Sequence, residues 1–95
     1  MKLEKINMND VNGTSLMGYV TCKYEKLVKV FGEPITDSTG DKVTCEWEGK
    51  LDGIPFTIYD WKTNVPYKEN LNWNIGGYNQ KAVNAVKGYL AENNL

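Results

Sequence analysis

The residues able to act as nucleophiles, acids or bases are few and poorly grouped. The chain contains no histidine, which removes the commonest general base near neutral pH and most transition-metal sites. Ser15 and Ser38 lack the turn context of a nucleophile elbow, and neither Cys22 nor Cys45 has a basic partner to activate its thiol. The acidic pairs Asp41/Glu46 and Asp52/Asp60 follow no recognisable catalytic spacing. Asp60 faces a mostly apolar layer, so burial would raise its pKa; the rival reading puts it at the sheet's edge beside Lys42 or Lys62. The chain therefore reads as a non-enzyme, with no catalytic residue, metal ligand or cofactor assigned.

Two constellations suit binding instead. In Trp73-Asn74-Ile75-Gly76-Gly77-Tyr78-Asn79 a strand feeds two glycines and then a helix start, where free N–H groups and the helix dipole attract anions. The same Gly-Gly is also an ordinary strand-to-helix turn, and no Lys-Ser/Thr of a phosphate loop follows it. Thr14 and Ser15 offer hydroxyls to such a site if the fold brings them near. The ligand-binding candidates are thus Thr14, Ser15, Gly76, Gly77, Tyr78 and Asn79. The second constellation is aromatic: three Trp, six Tyr and two Phe are many for 95 residues. Trp47, Trp73, Phe31 and Phe56 fit core positions. Tyr19, Tyr59, Trp61, Tyr67 and Tyr78 are less committed, and such rings enrich binding surfaces. Tyr59, Trp61 and Tyr67 are the protein-interaction candidates; the bland alternative is that these rings half-cover a thin sheet.

Charge narrows the partners. Eleven basic residues, all Lys, stand against twelve acidic ones, for a net charge of −1. Nonspecific nucleic-acid binding needs a basic surplus, and without Arg the bidentate phosphate and guanine contacts are missing. Two cysteines without a Cys-x-x-Cys motif read as buried reduced thiols. The N-terminal residues lack the apolar segment of a signal peptide, and no apolar run is long enough to span a membrane. A cytoplasmic location is expected.

The elements that must position these residues follow from periodicity. Alternation of Val43, Cys45, Trp47 and Leu51 with polar neighbours, closed by Asp52-Gly53, predicts a β-hairpin over residues 43–62 with a type I′ turn. That turn sets Leu51 opposite Ile54, Gly49 opposite Phe56, Trp47 opposite Ile58 and Cys45 opposite Asp60, a nearly all-apolar face. The other face carries Glu48/Thr57, Glu46/Tyr59 and Thr44/Trp61, and is either partly covered by the N-terminal segment, the favoured reading, or exposed for binding. Residues 16–20 read as a strand, and Leu71, Trp73 and Ile75 alternate in another. Tyr24, Leu27, Val28 and Phe31 mark a helix capped by Thr21 and stopped by Gly32 and Pro34. A second helix opens at Asn79, with Tyr78 and Val83 at hydrophobic-staple positions, and buries Ala82, Val83, Val86, Tyr89 and Leu90. Turns or loops are expected over residues 9–13 and 36–41. The expected architecture is one α+β domain over residues 1–95, a two-layer sandwich in the order β-α-β-β-β-α. Its sheet is antiparallel, with both helices on one face. Residues 1–15 are the hardest to assign, with an extra strand near residues 2–7 as one option.

The run Gly18-Tyr19-Val20-x-x-x-Tyr24-x-x-Leu27-Val28-x-x-Phe31-Gly32-x-Pro34 resembles a pattern in small proteins of bacteriophage and prophage genomes. Lys42 followed by Trp47, then Asp52-Gly53, Ile58-Tyr59-Asp60-Trp61-Lys62 and Trp73-x-Ile75-Gly76-Gly77 continue the likeness over about residues 13–78. No activity is attached to that group, so no site residue transfers. The resemblance implies a phage accessory protein that inhibits or sequesters a host factor or acts on a host defence pathway. The alternative is a nucleotide or small-anion binding module at the Gly76-Gly77 helix start. The partners expected are a host protein or a small nucleotide, with a homodimer also allowed.

Overall fold

Asp52 and Gly53 take up φ values of +51° and +82°, the two left-handed residues that a type I′ turn requires. The hairpin they close has the register expected from the turn: Leu51 pairs with Ile54, Gly49 with Phe56 and Trp47 with Ile58. Cys45 accepts the Asp60 N–H at 3.2 Å. The computed structural model describes residues 1–6, 13–36 and 43–93. The expected turn over 9–13 and loop over 36–41 lie, except for Gly13 and Thr36, outside the described residues, as do Ser38, Asp41 and Lys42.

The elements are β1 (Leu3–Glu4), β2 (Ser15–Thr21), α1 (Tyr24–Phe31), β3 (Glu46–Leu51), β4 (Ile54–Tyr59), β5 (Asn72–Gly77) and α2 (Lys81–Glu92). The strands form one antiparallel sheet in the order β1-β3-β4-β5-β2. This is the α+β sandwich expected, with the extra N-terminal strand realised as two residues along the outer edge of β3. Asp52 fastens that strand: its Oδ1 accepts the Lys2 N–H at 2.7 Å, and its own N–H donates to Lys2 O.

Both helices lie on the Trp47/Ile58 face. Leu27 of α1 is fully buried there, and Phe31 packs over Phe56 with ring centroids 5.3 Å apart. Along α2 the buried stripe is Ala82, Val83, Ala85, Val86 and Leu90. Tyr89 bridges to Phe31 at 5.6 Å. The indole N–H groups of two buried tryptophans bracket α1: Trp73 donates to Cys22 O at 2.9 Å before the helix, and Trp47 to Gly32 O at 2.8 Å after it. Buried indoles need such partners, and here the partners are the carbonyls that fix both ends of an eight-residue helix.

Several local expectations are corrected. Thr21 is the last residue of β2 rather than a cap; α1 starts after Lys23 with no side-chain cap. Gly32 has the expected positive φ of +89°, but with extended ψ. Gln80, just before α2, already has helical backbone angles. The capping bond comes from Asn79, whose Oδ1 accepts the Lys81 N–H at 2.9 Å. Val83 packs on Gly18 while Tyr78 lies exposed beside Gly13, so the staple position is not used as expected. Gly88 lies beside the Met1 methyl group, 2.8 Å from where a Cβ would stand, a contact that the flexible Met1 side chain can relieve.

Candidate functional site

The face of the sheet away from the helices forms the site. Its composition follows from strand alternation: where Trp47, Phe56, Ile58, Trp73 and Ile75 point into the helical layer, their neighbours point out. Two cross-strand rows result. One runs Tyr19, Asn74, Tyr59, Glu46 across β2, β5, β4 and β3; the next runs Leu16, Gly76, Thr57, Glu48. Sequence reasoning paired Glu46 with Tyr59 and Glu48 with Thr57. It did not bring Tyr19, Leu16 or Asn74 to them, because the partner of β2 cannot be read from local pattern.

Thr14 and Ser15 border this face, whereas residues 1–6 run along the far edge, and the Met1 amine reaches Glu92 Oε1 at 3.0 Å on the helical side. The expected partial cover by the N-terminal segment also involves residues 7–12, which lie outside the described residues. Tyr19 is 63% exposed, Trp61 47% and Leu16 44%.

Gly76 creates a hollow between these groups. A Cβ at that position would collide with the Thr57 hydroxyl and would lie 3.5 Å from the Tyr59 ring. The hollow, of about 310 Å³, is lined by Thr14, Ser15, Val43, Glu46, Thr57, Tyr59, Trp61 and Gly76. A neighbouring one of about 520 Å³, lined by Leu16, Tyr19, Tyr59, Trp61 and Asn74, shares its two central rings. Tyr59 and Trp61 meet edge-to-face at 6.4 Å, and Lys62 holds its Nζ 5.8 Å from the Trp61 ring centroid. Lys62 itself has φ +49°, a left-handed conformation that costs a non-glycine residue roughly 1–2 kcal/mol.

The electrostatics of the groove centre on Glu46. Its backbone N–H and C=O exchange hydrogen bonds with Ile35, so they point away from β4. Glu46 and Tyr59 are therefore a non-hydrogen-bonded pair, the closer of the two antiparallel pairings for side chains. Burial, then repulsion from and hydrogen bonding to the Glu48 carboxyl, push the Glu46 carboxyl up to about 7. Burial also raises the Tyr59 phenol, partly offset by its hydrogen bond with the Asn74 side chain.

The structure separates the ligand candidates. Thr14, Ser15 and Gly76 meet in the groove, as the sequence allowed. Gly76 and Gly77 are not a turn, however; both are buried β5 residues paired with β2. Gly77 is there for packing, because a Cβ would collide with the Ala82 methyl. Tyr78 and Asn79 are exposed beyond the strand, and the Asn79 side chain already caps Lys81. The glycines therefore present no loop of free amides to an anion. Among the protein-interaction candidates, Tyr59 and Trp61 line the groove. Tyr67 sits apart in a short 3-10 turn (Tyr67–Glu69), packed on Tyr24 at 5.5 Å near α1.

The remaining reactive groups serve structure. Asp60 is 1% exposed rather than at the sheet's open edge. Its Oδ1 accepts N–H bonds from Thr44 at 2.7 Å and Cys45 at 3.0 Å, and its Oδ2 accepts the Thr44 hydroxyl. Cys45 is buried, and burial followed by the Asp60 and Glu46 charges pushes its thiol up to about 12. Cys22 is half-buried and its thiol also raised, chiefly by burial. No group of residues suited to holding a metal ion occurs among the described residues. None of the described helices is long and apolar enough to cross a membrane.

Fold and site together define a two-layer α+β sandwich whose second sheet face carries no helix among the described residues and is lined by aromatic side chains. Comparison with protein-family models, curated proteins and solved structures returned no match.

Proposed function

We propose that this chain is a non-enzymatic binding protein, of the phage accessory kind, whose open sheet face engages a host protein. The observation that supports this reading is the exposure of Leu16, Tyr19 and Trp61 around one groove on a face with none of the described helices over it. Aromatic side chains exposed together are characteristic of recognition surfaces, because each ring buries much area at small entropic cost. The host-factor part of the reading is supported by the sequence resemblance to small phage proteins. A shallow groove holding one titratable acid, in a chain without histidine, suits binding better than turnover.

The nucleotide or small-anion alternative gains from the arrival of Thr14 and Ser15 at Gly76. It loses more from Glu46, whose carboxyl lines the same hollow and, once ionised, would repel an anion there.

The test is capture from host-cell extract with three baits: the parent chain, Trp61→Ala, and Lys87→Ala on exposed α2. One protein retained by the parent and Lys87→Ala but lost with Trp61→Ala, at unchanged thermal stability, supports the reading. Equal capture by all three, or none, counts against it. A thermal shift with a nucleotide that survives Trp61→Ala would favour the alternative.

A further inference from the structure

We propose that the groove beside Glu46 receives a cationic side chain, a lysine or arginine on the partner protein, with its charge at Glu46 and its stem along the Tyr59 and Trp61 rings. This rests on the open-face reading above and adds the chemistry of what the face recognises. The argument begins with charge. Glu46 and Glu48 project from the same face of β3, two residues apart, and their carboxyls are hydrogen-bonded to one another. Two adjacent carboxylates in a partly dry site repel. Among the described residues, the interactions that bear on Glu46 are burial and the Glu48 carboxyl, and both oppose its charge. No described cation is set against it. An incoming ammonium or guanidinium supplies the counter-charge.

The walls select the same chemistry. Tyr59 stands directly opposite Glu46, and Trp61 meets Tyr59 edge-to-face. Aromatic faces beside a carboxylate attract cations through the ring quadrupole, most strongly where water is partly excluded. Trp61 already does so within the chain, since Lys62 holds its ammonium over that ring. The hydroxyls of Thr14 and Thr57 line the same hollow. An anion finds no comparable donor set, because the backbone of Gly76 is committed to pairing with Leu16 and Thr57.

Proton exchange gives the interaction a pH dependence. Cation binding is favoured once Glu46 ionises, and it weakens as pH falls below about 7. Among the described residues, the other ionisable or charged groups around Glu46 are Glu48 and Lys50 along β3, Tyr59 on β4, Cys45 behind, and Lys62 beyond Trp61. Glu48 is the one whose carboxyl raises the Glu46 proton affinity.

The probes are three pentapeptides, Gly-Ser-X-Ser-Gly with blocked ends, where X is lysine, norleucine or glutamate. Binding is followed by NMR shifts of the Glu46 and Tyr59 amides and the Trp61 indole. At pH 8 the lysine peptide is expected to bind at least about fivefold more tightly than the norleucine peptide, a ratio worth about 1 kcal/mol. That preference should shrink at pH 5.5 and disappear in Glu46→Gln. Trp61→Leu, which keeps the apolar wall, should reduce it. Equal affinity for lysine and norleucine at pH 8, or a lysine preference that survives Glu46→Gln, overturns the cationic receptor. Equal binding of both peptides at the groove leaves the open-face reading standing. The loss of Trp61-dependent host capture ends that reading independently.

Discussion

Glu46 and Tyr59 oppose each other across the β3–β4 hairpin at a non-hydrogen-bonded position, with the Glu48 carboxyl as the nearest like charge. Folding therefore raises the Glu46 pKa from an ordinary carboxyl value to about 7. Between about pH 4.5 and 7 the folded chain holds a proton that the unfolded chain has released, so stability falls as pH rises through that window and is level above it. Glu46→Gln removes the penalty. It should leave stability unchanged near pH 4 and raise it by about 1 kcal/mol at pH 8, since water reaches the half-open groove and screens the repulsion. Urea unfolding at both pH values measures this; a Glu46→Gln effect independent of pH would exclude the assignment.

Asp60 ties the open end of the same hairpin by accepting three hydrogen bonds from Thr44 and Cys45. Asp60→Ala leaves the Cys45 N–H in the core without a partner and should cost about 2–4 kcal/mol. Asp60→Asn, which keeps one acceptor oxygen, should cost less. Chemical denaturation of the two variants decides, and a loss below about 0.5 kcal/mol in Asp60→Ala would show that water replaces the carboxylate.

Gly77 lets the first turn of α2 lie directly on β5, where any Cβ meets the Ala82 methyl. Gly77→Ala should destabilise by about 1–3 kcal/mol through overpacking. In the double variant Gly77→Ala/Ala82→Gly the clash is removed, and part of the loss should return despite glycine's helix penalty of about 1 kcal/mol. No recovery in the double variant would place the cost in the β5 backbone instead.

The indole of Trp73 holds the chain entering α1 through Cys22 O. Trp73→Phe should cost about 1–3 kcal/mol from the lost bond and volume. It should also accelerate amide hydrogen exchange in α1 more than in α2. Uniform acceleration would mean that the bond contributes only to global stability.

The two thiols should differ in reactivity. Thiolate is the reactive form, and burial lifts the Cys45 thiol to about 12. A maleimide at pH 8 should label Cys22 slowly in the native chain and Cys45 only after unfolding. Native labelling of Cys45 at a rate matching Cys22 would show that the hairpin's open end breathes.

Much of the fold was legible because its signals are local. Asp52-Gly53 set the hairpin register, and alternation then assigned Trp47, Phe56 and Ile58 to the core. The spacing of Leu27 and Phe31, and of Ala82, Val83, Val86 and Leu90, marked the two buried helical faces. The site was legible only in part. Glu46/Tyr59 and Trp61 followed from the register, but Leu16, Tyr19 and Asn74 joined them through β2–β5 pairing, whose partners are more than 50 residues apart in sequence.

What the sequence by itself determined was the content of each surface: which side chains share a strand face and which helical stripe is apolar. Those follow from backbone periods of two and 3.6 residues, which operate within a few neighbours. Tertiary structure alone decided which sheet face the two helices cover, and why Gly76 and Gly77 are glycines. Gly76 leaves room for Thr57 and Tyr59, and Gly77 for Ala82, contacts that exist only once β4, β5 and α2 are assembled. Burial of Asp60 and of the Glu46 carboxyl likewise arises from groups brought together across strands. Strand alternation already sets Glu48 beside Glu46, but burial, the larger cause of the raised proton affinity, exists only in the assembled sheet.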